Sequence, residues 1–187
     1  MKVLLSFSAL IDGVNARVGN SVRWLILAMV VICTATAIMR YLFSVGSNAW
    51  LEIQWYLFAA VFLLGAGDTL RRNEHIRIDV IAQRLSRRTQ AWIDIVGTVL
   101  FLAPLAVIII VLSWPMVMAS LAQGELSSDA GGLLRWPVKL LIPVGFGLLL
   151  LQGLSELIKK AAFLTGRIPD PAETAPPGLD PKAGGVL

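Results

Sequence analysis

Five ionisable residues stand in or beside long uncharged runs of this chain: Arg40, Glu52, Asp68, Asp94 and Glu156. A charge in an apolar setting is costly, so such residues pair with one another, dock a partner or mark a path for ions or protons. Asp68 precedes Arg71 and Arg72 by three and four positions, and Glu156 precedes Lys159 and Lys160 in the same way. Both patterns read as ion pairs at helix ends. Glu52 lies between Trp50 and Trp55, in the expected first turn of a helix, where the helix dipole favours an anion. Arg40 closes the preceding apolar run on the same side, only a short turn away. An interfacial Arg40–Glu52 contact, two solvated flanking charges, a charge that docks a partner subunit and an ion path are all compatible with this spacing. The structural and docking readings outweigh the ion path, because almost no other polar group stands at mid-membrane.

Little else in the chain can do chemistry. His75 is the only histidine and Cys33 the only cysteine, and they lie far apart. One histidine cannot supply paired axial ligands to haem, and the two residues leave no zinc set. His75 is expected to cap a helix end or to bond Asp79, four residues on, and Cys33 to act as a small packing residue. No nucleophile–base pair, glycine-rich phosphate loop or H-E-x-x-H occurs, so neither an enzyme nor a cofactor is expected. The net charge of +4 invites a nucleic-acid reading. The basic residues instead flank apolar runs, and no zinc-knuckle or RNA-recognition signature accompanies them.

The elements that must position these residues are membrane helices. Residues 95–123 carry no charged side chain. At about 1.5 Å per residue, such a helix exceeds the ~30 Å hydrocarbon core of a bilayer. Shorter uncharged runs cover 24–39, 53–67 and 140–155. The chain is 57% hydrophobic and 15% charged, against about 25% charged in soluble domains. The expected fold is therefore all-α and integral to the membrane, with four transmembrane helices at about 21–43, 49–70, 89–120 and 138–163.

Residues 1–20 read as an amphipathic leader, because the apolar stretch after Lys2 is short, broken by serines and followed by Asp12-Gly13 without a cleavage motif. Between helices 2 and 3, Ile78, Ile81 and Leu85 have helical spacing and predict a short amphipathic surface helix at about 76–86. Pro104 and Pro115 predict kinks in helix 3. Gly65, Gly67, Gly145, Gly147 and Gly153 are candidates for close helix approach. Residues 166–187, rich in proline, are expected to form a disordered tail.

Orientation follows from the cations. Of the 16 Lys and Arg, all but Arg40, Arg135 and Lys139 fall in segments that share the side of the N-terminus. The positive-inside rule then puts both ends in the cytoplasm, as an even helix count requires.

Several motifs occur in a specific order. Arg40-Tyr41-Leu42-Phe43 closes helix 1, and Ala49-Trp50-Leu51-Glu52 opens helix 2. Tyr56-Leu57-Phe58, Phe62-Leu63-Leu64-Gly65-Ala66 and Arg72-x-x-His75-Ile76-Arg77-Ile78-Asp79 follow. Arg135-Trp136-Pro137, Pro143-x-Gly145-Phe146 and Leu150-Leu151-Gln152 complete the set. Over about residues 10–165 the chain resembles the small membrane subunit, the DctQ-like family, of TRAP (tripartite ATP-independent periplasmic) transporters. The family often has two adjacent acids after the helix 2 tryptophan, whereas Ile53 follows Glu52 here. Ser127-Ser128-x-x-Gly131-Gly132 resembles a branch associated with organic monoacids or 2-oxo acids.

The resemblance implies an accessory scaffold of a sodium-coupled organic-acid importer in a bacterial inner membrane. Its implied partners are the large permease subunit, the periplasmic substrate-binding protein and the lipid bilayer. Candidate interface or structural residues are Arg40, Trp50, Glu52, Tyr56, Arg72, His75, Asp79, Arg135 and Trp136. Two other classes compete: a self-sufficient homo-oligomeric four-helix transporter using Glu52 and Asp68, and a cofactor-free membrane anchor of an enzyme complex.

Overall fold

A computed structural model describes residues 2–72 and 85–166. Four helices in it are long and apolar enough to cross a membrane. They are α1 (Lys2–Phe43), α2 (Asn48–Arg71), α3 (Arg87–Gln123) and α4 (Trp136–Leu164). The described residues contain no strand, only an isolated antiparallel bridge between Leu126 and Leu134. The chain is thus an all-α, multi-pass integral membrane protein.

The residues expected to form a separate leader are the first turns of α1, which is continuous over 42 residues. That is about 63 Å, twice the thickness of a hydrocarbon core. Ser8, Ile11, Asn15, Gly19 and Val22 are buried at intervals of three and four, so they form one helical seam. The serine and asparagine on it do not face water. They pair with polar residues of α4, which is why neither the serines nor Asp12-Gly13 ends the helix. Beyond Val22 no residue of α1 is buried, and its last turns face α2, where Gln54 Nε2 reaches Thr36 Oγ1 at 3.2 Å.

α2 packs between α1 and α4, and α3 packs mainly against α4. Small residues permit the closest approaches. A Cβ on Gly145 would lie 2.7 Å from the Leu63 carbonyl oxygen, so α2 and α4 meet backbone to backbone there. Gly67 faces Asn15, whereas Gly147 meets nothing within 4 Å. Gly153 faces Thr98 and Leu102 of α3, which belong to a π turn, Thr98–Leu102. That wide turn stands directly before Pro104. It accommodates a ring that has no N–H and would crowd the carbonyl four residues back.

Residues 76–84 of the expected surface helix, and 167–187 of the expected tail, lie outside the described residues. Leu85 and Ser86 form the entry to α3, where the Ser86 hydroxyl caps the helix by accepting from the Thr89 N–H at 3.2 Å.

Candidate functional site

The polar groups of the array gather at its two ends. At one end, the α3–α4 connection (124–135) is bound to the first turns of α2 by three side chains spaced i, i+4, i+8. Asn48 Nδ2 donates to the Ala130 carbonyl at 3.2 Å. Glu52 Oε2 accepts from the Leu133 N–H at 2.7 Å. Tyr56 Oη donates to the Leu134 carbonyl at 3.1 Å. Residues four apart share a helix face, so this rail follows from helix geometry alone once the loop lies over α2.

The loop is also stitched to itself. Ser127 N–H donates to the Leu133 carbonyl and Arg135 N–H to the Glu125 carbonyl, each at 2.9 Å. A tight turn closed by Gly132 N–H to the Asp129 carbonyl uses Gly131 at φ +73°. Gly132 cannot carry a side chain, since a Cβ there would meet Ser127 at 2.4 Å and Glu52 Oε1 at 3.0 Å. Arg135 reaches Ser127 Oγ at 3.4 Å. Glu125 and Lys139 form an ion pair across the loop base. The Lys139 ammonium, donating to the Glu125 carboxylate, holds that carboxyl below its ordinary range. The result is a cross-bonded cap whose outer surface presents Leu126, Ser128, Asp129 and Leu134.

At the opposite end, polar side chains lock α1 onto α4. Asp12 Oδ1 accepts from Gln152 Nε2 and Ser155 Oγ, both at 2.8 Å, and Lys159 reaches Asp12 Oδ2 at 3.2 Å. Asn15 Nδ2 donates to Gln152 Oε1 at 2.9 Å, and the hydroxyls of Ser8 and Ser155 are 2.7 Å apart. Gln152 and Ser155 are fully buried. Nearby, Asp68 binds both Arg71 and Arg72 at 2.8 Å, the helix-end pairing the spacing predicts. Lys160 pairs with Asp94, and Glu156 pairs with Lys159.

The residues singled out from sequence thus take different places. Glu52, Tyr56 and Arg135 meet at the cap, and Trp136 begins α4 beneath it. Arg72 belongs to the Asp68 cluster at the other end. Trp50 is half exposed beside the rail. His75 and Asp79 lie outside the described residues. The Arg40–Glu52 contact does not form. Glu52 is buried and turned towards the loop, while Arg40 is exposed and lines a cleft with Gln54 on another face of the α1–α2 pair. Asn48, Asp12, Asn15 and Ser155 escaped sequence reasoning. Their signal was polar spacing: 48/52/56 on α2, and 8/12/15 facing 152/155/159.

Among the described residues, no group of His, Cys, Asp and Glu could hold a metal ion. Residues 29–163 match the family model of the DctQ component of tripartite ATP-independent periplasmic transporters. No curated protein and no solved structure matches the chain.

Proposed function

The chain belongs to the DctQ family of tripartite ATP-independent periplasmic transporters, and from that premise we propose that it is the fixed, non-transporting partner of a large permease in a bacterial inner membrane. In this reading the permease imports an organic acid with sodium, a periplasmic protein delivers the acid, and both termini of the small subunit are cytoplasmic. The distribution of cations supports the orientation. The cap, residues 124–135, then faces the periplasm and provides a docking surface for the substrate-binding protein.

The observation that carries this reading is the Asn48–Glu52–Tyr56 rail. Loops at membrane surfaces are usually mobile, and tying one down with three side chains, one of them a buried carboxylate, suits a surface that must meet a rigid partner without an ordering penalty. The same bond argues against an ion path. Glu52 is engaged by Leu133, and Asp68 by Arg71 and Arg72, so both acids already have structural partners. The apolar outer faces of α1 and α3 offer the area a large membrane partner needs.

Purification of the tagged chain from its host in mild detergent tests the proposal. It predicts a many-helix permease at near-equal stoichiometry. Recovery of the chain alone as a homo-oligomer would oppose it.

A further inference from the structure

A cleft of about 570 Å³ opens between the last turns of α1 and the first turns of α2. Arg40, Thr36, Tyr41 and Gln54 give it a polar lining, and Ala37 and Leu51 an apolar wall. Gln54 Nε2 and Thr36 Oγ1 are 3.2 Å apart, so these two groups largely satisfy one another. Arg40 is different. Among the described residues it makes no hydrogen bond and no ion pair, while the other cations of this end are engaged, Lys139 by Glu125 and Arg135 by Ser127. Glu52, the nearest acid in sequence, is committed to Leu133.

A guanidinium three residues from the end of a membrane helix stays there only if an anion or water meets it. Its depth is marked by Tyr41, Trp50 and Trp55, which are 89%, 52% and 71% exposed. Such rings favour the headgroup boundary. The anion present there in excess is the phosphate diester of a phospholipid. The fork of an arginine matches two phosphate oxygens, whereas the lysine ammonium is a point charge.

We propose that this cleft seats one phospholipid, with Arg40 on the headgroup phosphate and an acyl chain lying along Ala37 and Leu51. The seated lipid completes the contact between the last turns of α1 and the first turns of α2.

The test is native mass spectrometry of the full-length chain in detergent, titrated with phosphatidylglycerol, with phosphatidylethanolamine and with inorganic phosphate. One tightly held phospholipid per chain is expected, and inorganic phosphate should not displace it. Arg40→Gln should weaken that binding on the order of 10- to 100-fold, the loss of a charge-assisted bidentate contact. Arg40→Lys should lose less. Leu51→Trp, which fills the cleft but keeps Arg40, should also release the lipid, and helix content by circular dichroism should stay unchanged in all three. Equal lipid retention by Arg40→Gln and the native chain would overturn the proposal, as would inorganic phosphate binding as tightly as lipid. It would equally be overturned if Arg40→Glu cut permease recovery while lipid occupancy in the isolated chain stayed intact, because the cation would then serve a subunit contact.

Discussion

The Glu52 carboxylate accepts the Leu133 N–H at 2.7 Å, joining positions 81 residues apart. A helix that starts in the α1–α2 connection thereby holds the α3–α4 connection in place. An acid whose spacing in sequence left a structural contact, a docking charge and an ion path open is a structural acceptor.

Glu52→Gln keeps the shape of the side chain but replaces a charged acceptor with a neutral one. Glu52→Ala leaves the Leu133 N–H without its partner. We expect thermal stability in detergent to fall in the order native, Gln, Ala. Amide hydrogen exchange within 124–135 should rise in the same order while that of α3 stays unchanged. An unaltered loop in the alanine variant would show that the rail does not hold it.

Asn48 and Tyr56 act on the same loop, so their effects should not be independent. Tyr56→Phe deletes one neutral hydrogen bond, worth about 1 kcal/mol. Combined with Glu52→Ala it should cost less than the sum of the two, because the loop is already free. The double-mutant cycle is the check, and strict additivity would mean the contacts do not share one element.

The Glu125 carboxyl is held low, chiefly by the hydrogen bond from Lys139. A depressed folded value means that this contribution is present above the unfolded carboxylate range, near about pH 4.3. It is lost as pH falls through the folded value. Glu125→Gln should therefore melt below the native chain at neutral pH, and the two should converge in acid. Parallel melting curves across that interval would contradict the pairing.

The α1–α4 lock is a buried network, and such networks fail as units. Gln152→Leu removes the Gln152 bonds to Asn15 and Asp12, leaving Asp12 with Ser155 and Lys159, and should destabilise by about 1–3 kcal/mol. Gly145→Leu should cost a similar amount by a different route, since its side chain meets the Leu63 backbone. Denaturation in mixed micelles measures both. Cysteine cross-linking between positions 8 and 155 should fall in Gln152→Leu and hold in Gly145→Leu.

How much of this was legible in the sequence depended on the kind of interaction. The four spans were legible because lipid excludes charge, and an uncharged run as long as 95–123 fits a bilayer better than the interior of a small soluble domain. The Asp68–Arg72 pair was legible because its partners lie within one helical turn. The partner of Glu52 was not, because a backbone N–H carries no residue signature and any loop residue could have supplied it. The join of the leader to α1 was hidden for a related reason. Ser8, Asp12 and Asn15 look like a wetted face until Gln152, Ser155 and Lys159 are placed opposite them. Gly153 was noticed as small, but its role in seating the π turn before Pro104 needed the neighbouring helix.

The most direct test of the accessory role is uptake into proteoliposomes that hold the permease, the periplasmic protein and this chain, each omitted in turn. We predict sodium-dependent uptake by the full set, none by this chain alone, and loss of uptake when only this chain is left out. Flux through the isolated chain, or undiminished uptake without it, would contradict that role.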